Sequence, residues 1–488
     1  MATISSMLKT RLISPYQHDG VKWLLARELS KEHPGGFLCD EMGLGKTVQL
    51  IATCLANPKP RTLVITPKSI MGQWASELAR FAPSLNVVPF NGPPTFDMTK
   101  CNVVIAPYSM IAGRTLVKGA PIPKGPLHKF KWDRIILDEG HEIRNQKSKM
   151  HQGVKMLNAD IRWVVTGTPV FNSMRDFVAL AGFVGFDQKS VQAHAATIRA
   201  RYVLRRTKAD VCEFNVRLAL PPCDFENVEL TMYEEEEAVY RHVYGAARDS
   251  VREMLASSTA TGLKTMVMLE SLLRIRQCCI WPQLCLDGFA RKDGTAAEEY
   301  AGRSKKLEYL IASIKSHPAE KSLVFGQFMG ELDKIDSLLA AEGIQTFRID
   351  GTVNKEARDE RIGEFKKSTT GAVFLIQVKA GGVGLNLQEA TRVYITSPAW
   401  NPATELQAIG RSHRTGQVQK VWVKKLIYEG TEDLPSIEQS IMQLQGHKAI
   451  VCAEVLQDER LISQVPTAPK NPRASIQALK RIFNLDQV

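Results

Sequence analysis

The sequence predicts an α/β protein of two parallel-sheet lobes with a helical insertion between them. Three observations carry that expectation. Short apolar runs at 62–66, 103–106, 134–137 and 163–165 each end on a polar residue, Gly or Pro, with helical patterns between them. That alternation belongs to a mostly parallel sheet buried on both faces. A second set at 322–325, 346–349, 372–376 and 392–395 repeats it downstream. The length of 488 residues then suits two large domains or three smaller ones, because single domains hold ~100–200 residues.

Composition bounds the class. Hydrophobic residues make up 44% and charged residues 23%, enough apolar material for sizeable cores, so disorder as the main state is excluded. Lys and Arg number 63 against 51 Asp and Glu, a net charge of 63 − 51 = +12. That excess points weakly to a polyanionic partner. Nine cysteines are scattered without a C-x-x-C pair, and Cys278, Cys279 and Cys285 lack zinc-ligand spacing. No zinc is therefore expected, and a reducing, intracellular compartment is. Residues 1–17 have no apolar h-region, and no run approaches ~18 apolar residues. Neither a signal peptide nor a membrane partner is expected.

Along the chain, the expected units are a first lobe at 1–190, a helical insertion at 191–290 and a linker at 291–303. A second lobe at 304–445 and a tail at 446–488 complete them. Thr231 and Glu234 form a T-x-x-E capping box, which predicts a helix start there. The acidic run 234–237 is read as favouring that N-terminus while staying solvated. In the linker, Gly294 and Gly302 sit among mixed charges. The tail carries Pro466, Pro469 and Pro472, then a basic amphipathic helix at 475–485, expected to dock on the body.

The chemistry begins where Gly36-Phe37-Leu38 runs into Cys39-Asp40-Glu41-Met42-Gly43-Leu44-Gly45-Lys46-Thr47 and a helical pattern follows. Strand, glycine turn and helix N-terminus is the context in which G-K-T binds phosphate. Gly43 and Gly45 let backbone N–H groups face an anion that a Cβ would crowd. Lys46 then reaches the β- and γ-phosphates, and the Thr47 hydroxyl ligates Mg²⁺. The strict pattern places Gly at position 40, where this chain has Asp40. A glycine turn with an incidental lysine is the competing reading.

A Mg²⁺–nucleotide site also needs carboxylates at a neighbouring strand end. Ile135-Ile136-Leu137 runs directly into Asp138-Glu139-Gly140-His141. Asp138 is expected to hold Mg²⁺ and Glu139 to polarise the attacking water; an acidic turn at a strand end is the alternative. Far downstream, Arg411 and Arg414 stand at i, i+3. On a helix they share one face, so they read either as arginine fingers or as surface arginines that contact nucleic acid.

These elements in this order resemble the superfamily-two helicase motors, and more narrowly the Swi/Snf family of ATP-dependent double-stranded DNA translocases. The resemblance covers about residues 10–445. Asp40 through Thr47 is similar to that family's first motif, including the Asp that breaks the generic pattern. Pro15-Tyr16-Gln17 with Gly20, Val21, Trp23 and Leu24 resembles its Gln motif, with Gln17 as adenine reader. Asp-Glu-Gly-His followed by Ile143-Arg144-Asn145, and the run 272–279, are similar to the post-replication-repair branch that includes helicase-like transcription factor. The RING module often found in that branch has no cysteine framework here.

The resemblance implies two RecA-like lobes, ATP and Mg²⁺ as cofactors, and double-stranded DNA as partner, with nucleosomes or other DNA-bound proteins beyond it. It also implies nuclear placement and tracking along duplex DNA without strand separation; the expected compact build without accessory modules equally suits a viral replication compartment, and a monomer is expected. By position in the motifs, the expected DNA contacts are Thr66, Lys68, Ser109, Gln327, Thr352, Gly384 and Trp400. Asn386 and Gln407 are expected on the nucleotide. Thr166 and Gly167, with Thr168, Pro169, Asn172 and Ser173, resemble the motif that links ATP state to DNA grip. His141 is read as coupling to that motif, Trp23 and Trp163 as core. Trp74 and Trp400 stay open between packing and DNA.

Overall fold

The computed structural model describes residues 14–92, 101–111, 125–167, 174–211, 220–256, 261–368, 371–381, 385–414 and 416–456. The chain divides into two compact units, one built on 1–219 and the other on 220–449. The first carries β1 (Gly35–Leu38), β2 (Thr62–Thr66), β3 (Val87–Pro89), β4 (Val103–Pro107), β5 (Lys131–Asp138), β6 (Asn158–Val165) and β7 (Val203–Leu204). They form one seven-stranded parallel sheet in the order β3-β4-β2-β5-β6-β1-β7.

The sheet is buried on both faces because successive side chains alternate. Leu63, Ile65, Ile135 and Leu137 enter one core with Phe177 and Leu180. Val64, Ile136, Trp163 and Val165 enter the other with Val21, Leu24, Leu50 and Ile51. Trp163 is therefore core, as the sequence predicts, and Trp23 packs beside it with ring centroids 5.9 Å apart. Since every pairing is parallel, the turns after β1, β2, β4, β5 and β6 lie along one edge, where ligands of open α/β sheets bind.

The second unit repeats the plan with β8 (Cys223–Leu230), β9 (Lys321–Gly326), β10 (Thr346–Ile349), β11 (Val373–Gln377), β12 (Ala390–Ile395) and β13 (Val421–Tyr428). Its six-stranded parallel sheet has the order β10-β11-β9-β12-β13-β8. Leu323, Phe325, Phe374, Ile376, Val393 and Ile395 fill one face. Val324, Val373, Leu375, Tyr394 and Leu426 fill the other. Among the described residues no helix is long and apolar enough to cross a membrane.

Several expected boundaries move. The first does not fall at 190, since the helix Gln188–Tyr202 crosses it and β7 pairs with β1. The insertion 191–290 is not a separate body. Its helices Glu234–Ala256 and Thr261–Cys278 place Tyr240, Val243, Tyr244, Leu272 and Ile275 in the core of the second sheet, and β8 extends that sheet. The 291–303 stretch lies inside the second unit, where the Tyr300 N–H donates to Gln283 Oε1 at 2.6 Å. The helix Ile437–Leu456 runs across the expected 445/446 boundary, and 475–485 lies outside the described residues.

The helix start also shifts from the expected cap. The helix opens at Glu234, and the Tyr233 N–H donates to Glu236 Oε2 at 3.1 Å, so the capping carboxylate is Glu236. Glu236 is not solvated but only 1% exposed, accepting a 2.6 Å hydrogen bond from the Tyr428 hydroxyl. The Lys306 ammonium and Glu438 carboxylate, 1% and 0% exposed, pair at 2.8 Å beside it.

Candidate nucleotide-binding site

β1 ends at Leu38, and the chain turns through Gly43 at φ 92° and Gly45 at φ 74° into the helix Lys46–Ala56. Both angles lie in the left-handed region that favours glycine. A Cβ on Gly45 would stand 2.6 Å from Gln17 Nε2. Gln17 Nε2 donates to Leu44 O at 3.4 Å and the Tyr16 hydroxyl to the same carbonyl at 3.0 Å. Lys46 Nζ lies over the loop, donating to Asp40 O at 2.8 Å and Glu41 O at 3.4 Å. Expected residues Gly43, Gly45 and Lys46 thus share one turn, which Gln17 contacts from the helix Pro15–Glu28, with Thr47 in the first turn of the helix behind them.

Asp40, the residue that departs from the generic pattern, is fully buried. Its Oδ1 accepts from the Arg206 backbone N–H at 3.1 Å and from Arg206 Nε at 3.0 Å, and its Oδ2 from Arg206 Nη2. Gln49 Nε2 donates to Asp40 Oδ2 at 3.2 Å. A burial this complete demands a cation, but Arg206 lies 166 residues away and no local spacing identifies it. Arg205 joins it, donating to Cys39 O at 2.9 Å and Gly167 O at 3.4 Å.

The acidic turn follows β5. Asp138 Oδ2 accepts from Trp74 Nε1 at 2.6 Å and from the Thr66 hydroxyl at 3.5 Å, and Asp138 Oδ1 accepts from the Glu139 N–H at 3.0 Å. Burial pushes the Asp138 pKa up to about 6, Glu139's negative charge adding to it while the Trp74 N–H opposes it. Glu139 has φ 49° and ψ 48°, a left-handed backbone for a residue with a side chain. Gly140 is required next, because a Cβ there would stand 2.6 Å from Val164 Cγ1 on β6.

His141 Nδ1 lies 3.2 Å from Glu139 Oε2 and 3.4 Å from Thr166 Oγ1, so it joins the acidic turn to the start of the next motif. Gly167 approaches the phosphate loop, since a Cβ on it would stand 3.4 Å from Met42 Cγ and 4.0 Å from Lys46 Nζ. Thr168, Pro169, Asn172 and Ser173 lie outside the described residues. The glycine cradle, the ammonium over it and an oxygen donor at the Asp138 strand end fit a Mg²⁺-bound nucleoside triphosphate.

The expected nucleic-acid residues divide. Lys68 and Ser109 are exposed and follow β2 and β4, whose ends pair at Thr66 and Pro107. Thr66 is a correction: it is fully buried and directs its hydroxyl to Asp138, because it is the last residue of a central strand. Trp74 is likewise 3% exposed and engaged by Asp138, which excludes a DNA-facing role.

In the second unit, Gln327 and Thr352 follow β9 and β10. The Gln327 N–H donates to Glu331 Oε2 at 2.7 Å, and Thr352 is exposed, its hydroxyl donating to Asp350 Oδ1 at 2.6 Å. Trp400 is half-buried beneath Arg276, whose guanidinium carbon is 5.4 Å from the ring centroid. Gly384 lies outside the described residues.

Arg411 and Arg414 do not share a helix face. The helix Pro402–Ile409, which carries Gln407, ends before them, and both stand in the turns that follow. Arg411 is 8% exposed. The Leu387 N–H donates to Arg411 O at 3.0 Å, and Arg414 Nη1 donates to Leu385 O at 3.2 Å. These two bonds bracket the exposed Asn386, so the structure brings Asn386 and both arginines together by turn contacts, not by helical spacing.

Comparison with known proteins matches residues 16–195 to the SNF2-related domain and residues 305–416 to the Helicase conserved C-terminal domain. A probable chromatin-remodeling complex ATPase chain of Oryza sativa subsp. japonica is 30% identical over 92% of this chain and 41% of its own length. The chain thus spans less than half of that relative. A probable global transactivator of Orgyia pseudotsugata multicapsid polyhedrosis virus is 29% identical over 89% of each. Among solved structures, the Sulfolobus solfataricus SWI2/SNF2 ATPase core in complex with dsDNA is 24% identical with a TM-score of 0.39. It covers 95% of this chain and 98% of that one.

Proposed function

We propose that this chain, which carries an SNF2-related domain and a helicase C-terminal domain, is a DNA-dependent ATPase that moves along duplex DNA. The observation that carries the reading is the shared edge of the first sheet. There the Gly43–Lys46 turn, the Asp138-Glu139 turn and Thr166-Gly167 converge. Lys46 would neutralise the terminal phosphates, and Thr47 and Asp138 would hold Mg²⁺, which would supply charge stabilisation for phosphoryl transfer. Glu139, steadied by His141, orients the attacking water. Arg411 and Arg414 are the arginines proposed to add positive charge to the transition state.

Lys68 and Ser109 on one unit and Gln327, Thr352, Gly384 and Trp400 on the other are the proposed strand contacts. Backbone contacts of this kind give little sequence preference and a strong salt dependence. Hydrolysis measured separately with duplex DNA, single-stranded DNA and RNA tests the reading. Duplex DNA should stimulate most, and stimulation by RNA alone would overturn it. Lys46→Ala and Glu139→Gln should each lower turnover by roughly 10²-fold or more while duplex binding persists.

A finer reading concerns the target. Asp138-Glu139-Gly140-His141 resembles the post-replication-repair branch, whereas the rice relative is named for chromatin remodelling. Nuclear or viral-compartment work on forked DNA or on nucleosomes follows from one or the other, and the protein acts as a monomer on either. Fork regression assayed beside nucleosome sliding separates them.

A further inference from the structure

We infer that Arg206 is the positioning residue of the phosphate loop, holding the Gly43–Lys46 turn in its binding shape through Asp40 before any nucleotide arrives. The inference rests on the ATPase reading and adds to it a residue outside the motifs that identify the site.

Arg206 bonds the start of the loop at Asp40 and Glu41 and the helices that flank it at Tyr16 and Gln49. Its backbone carbonyl accepts from the Glu41 N–H at 2.8 Å, so it is paired with the loop by main chain as well as side chain. Its guanidinium forks onto both Asp40 oxygens, donates to Gln49 Oε1 at 2.8 Å and donates to Tyr16 O. Gln49 Nε2 returns to Leu44 O at 3.3 Å, inside the loop itself. Lys208 adds a 2.8 Å bond from its N–H to Glu41 Oε2. The helix Pro15–Glu28 is shaped around this pair, since a Cβ on Gly20 would stand 1.9 Å from Gln49 Oε1 and 2.7 Å from Arg206 Nη2.

The consequence is preorganisation. A loop with two left-handed glycines has many unbound conformations, and ordering it on ligand binding would cost affinity. With its first residue, Asp40, anchored by a fork, that ordering is already present in the fold. A planar guanidinium can meet two carboxylate oxygens and two further acceptors at once, which an ammonium cannot do with the same geometry.

The test is steady-state ATP hydrolysis by the full chain at saturating duplex DNA, with KM and kcat separated and thermal melts confirming the fold. Arg206→Lys keeps the charge opposite Asp40 and so keeps the fold. The double variant Asp40→Asn/Arg206→Gln leaves no buried charge unpaired. Both should raise the ATP KM about tenfold while kcat changes less than about threefold. A folded variant of either kind with wild-type KM overturns the inference, as does an equal loss in kcat alone. Wild-type protein that hydrolyses no ATP would instead refute the ATPase reading.

Discussion

Trp74 Nε1 donates to Asp138 Oδ2 at 2.6 Å across 64 residues of sequence. The indole lies beneath the strand-end carboxylate proposed to hold Mg²⁺, and it favours the charged form against the burial that opposes it. A side chain that could have faced nucleic acid is instead part of the candidate nucleotide site.

Removing that donor should show in the metal requirement. Trp74→Phe keeps the ring and loses the N–H, so the Asp138 pKa should rise above about 6. A metal ligand must be ionised to bind. Mg²⁺-dependent hydrolysis of the native chain should therefore fall as pH drops through that value, and the variant should lose it at a higher pH. Mg²⁺ titrations at several pH values should show half-saturation raised roughly fivefold at neutral pH.

The same carboxylate should reduce stability. Its pKa in the fold lies above the ordinary 3.8, so folding disfavours its charged form. The penalty is complete above the folded pKa and disappears as pH falls towards the ordinary value. Asp138→Asn should raise the melting temperature of the metal-free protein by a few degrees (~1 kcal/mol or more) at pH 8. The gain should shrink as pH falls through about 6.

Gly140 gives a test of packing behind catalysis. Gly140→Ala brings a methyl group within 2.6 Å of Val164 Cγ1 and should cost about 1–3 kcal/mol while displacing Glu139. Val164→Ala removes the obstructing methyl groups. ATPase and melting measurements on the double variant should show partial recovery of turnover, which Val164→Ala alone does not predict.

In the second unit the buried pair Lys306–Glu438 sets a purely structural expectation. Each Glu438 oxygen lies 2.8 Å from Lys306 Nζ, and Oε2 also accepts from the Tyr428 N–H at 2.9 Å. Glu438→Gln leaves the ammonium uncompensated and should cost about 3–5 kcal/mol in urea unfolding. Lys306→Met/Glu438→Gln should recover most of that loss, because no charge is then buried alone.

The central strands of both parallel sheets and the glycine turn were legible because their signals are local. The apolar run 62–66 coincides with β2 and 346–349 with β10. Gly43 and Gly45 have the positive φ their turn requires. Four strands were not legible: β3 and β7 are only three and two residues long, and β8 and β13 mix charged with apolar residues. Arg411 and Arg414 illustrate the limit of periodicity: their spacing suits a helix, but the helix ends at Ile409.

The sequence by itself determined the two α/β units, the glycine turn and the acidic strand end, because strand burial, glycine φ and strand-to-turn chemistry are written within a few residues. Only the tertiary structure decided the partners of those groups. Asp40 is held by Arg206, and Asp138 by Trp74. Thr66 is turned inward, and the helices after residue 220 close the second core. The physical reason is that a buried charge or donor must find a partner wherever the sheet order brings one, and sheet order is a property of the whole chain.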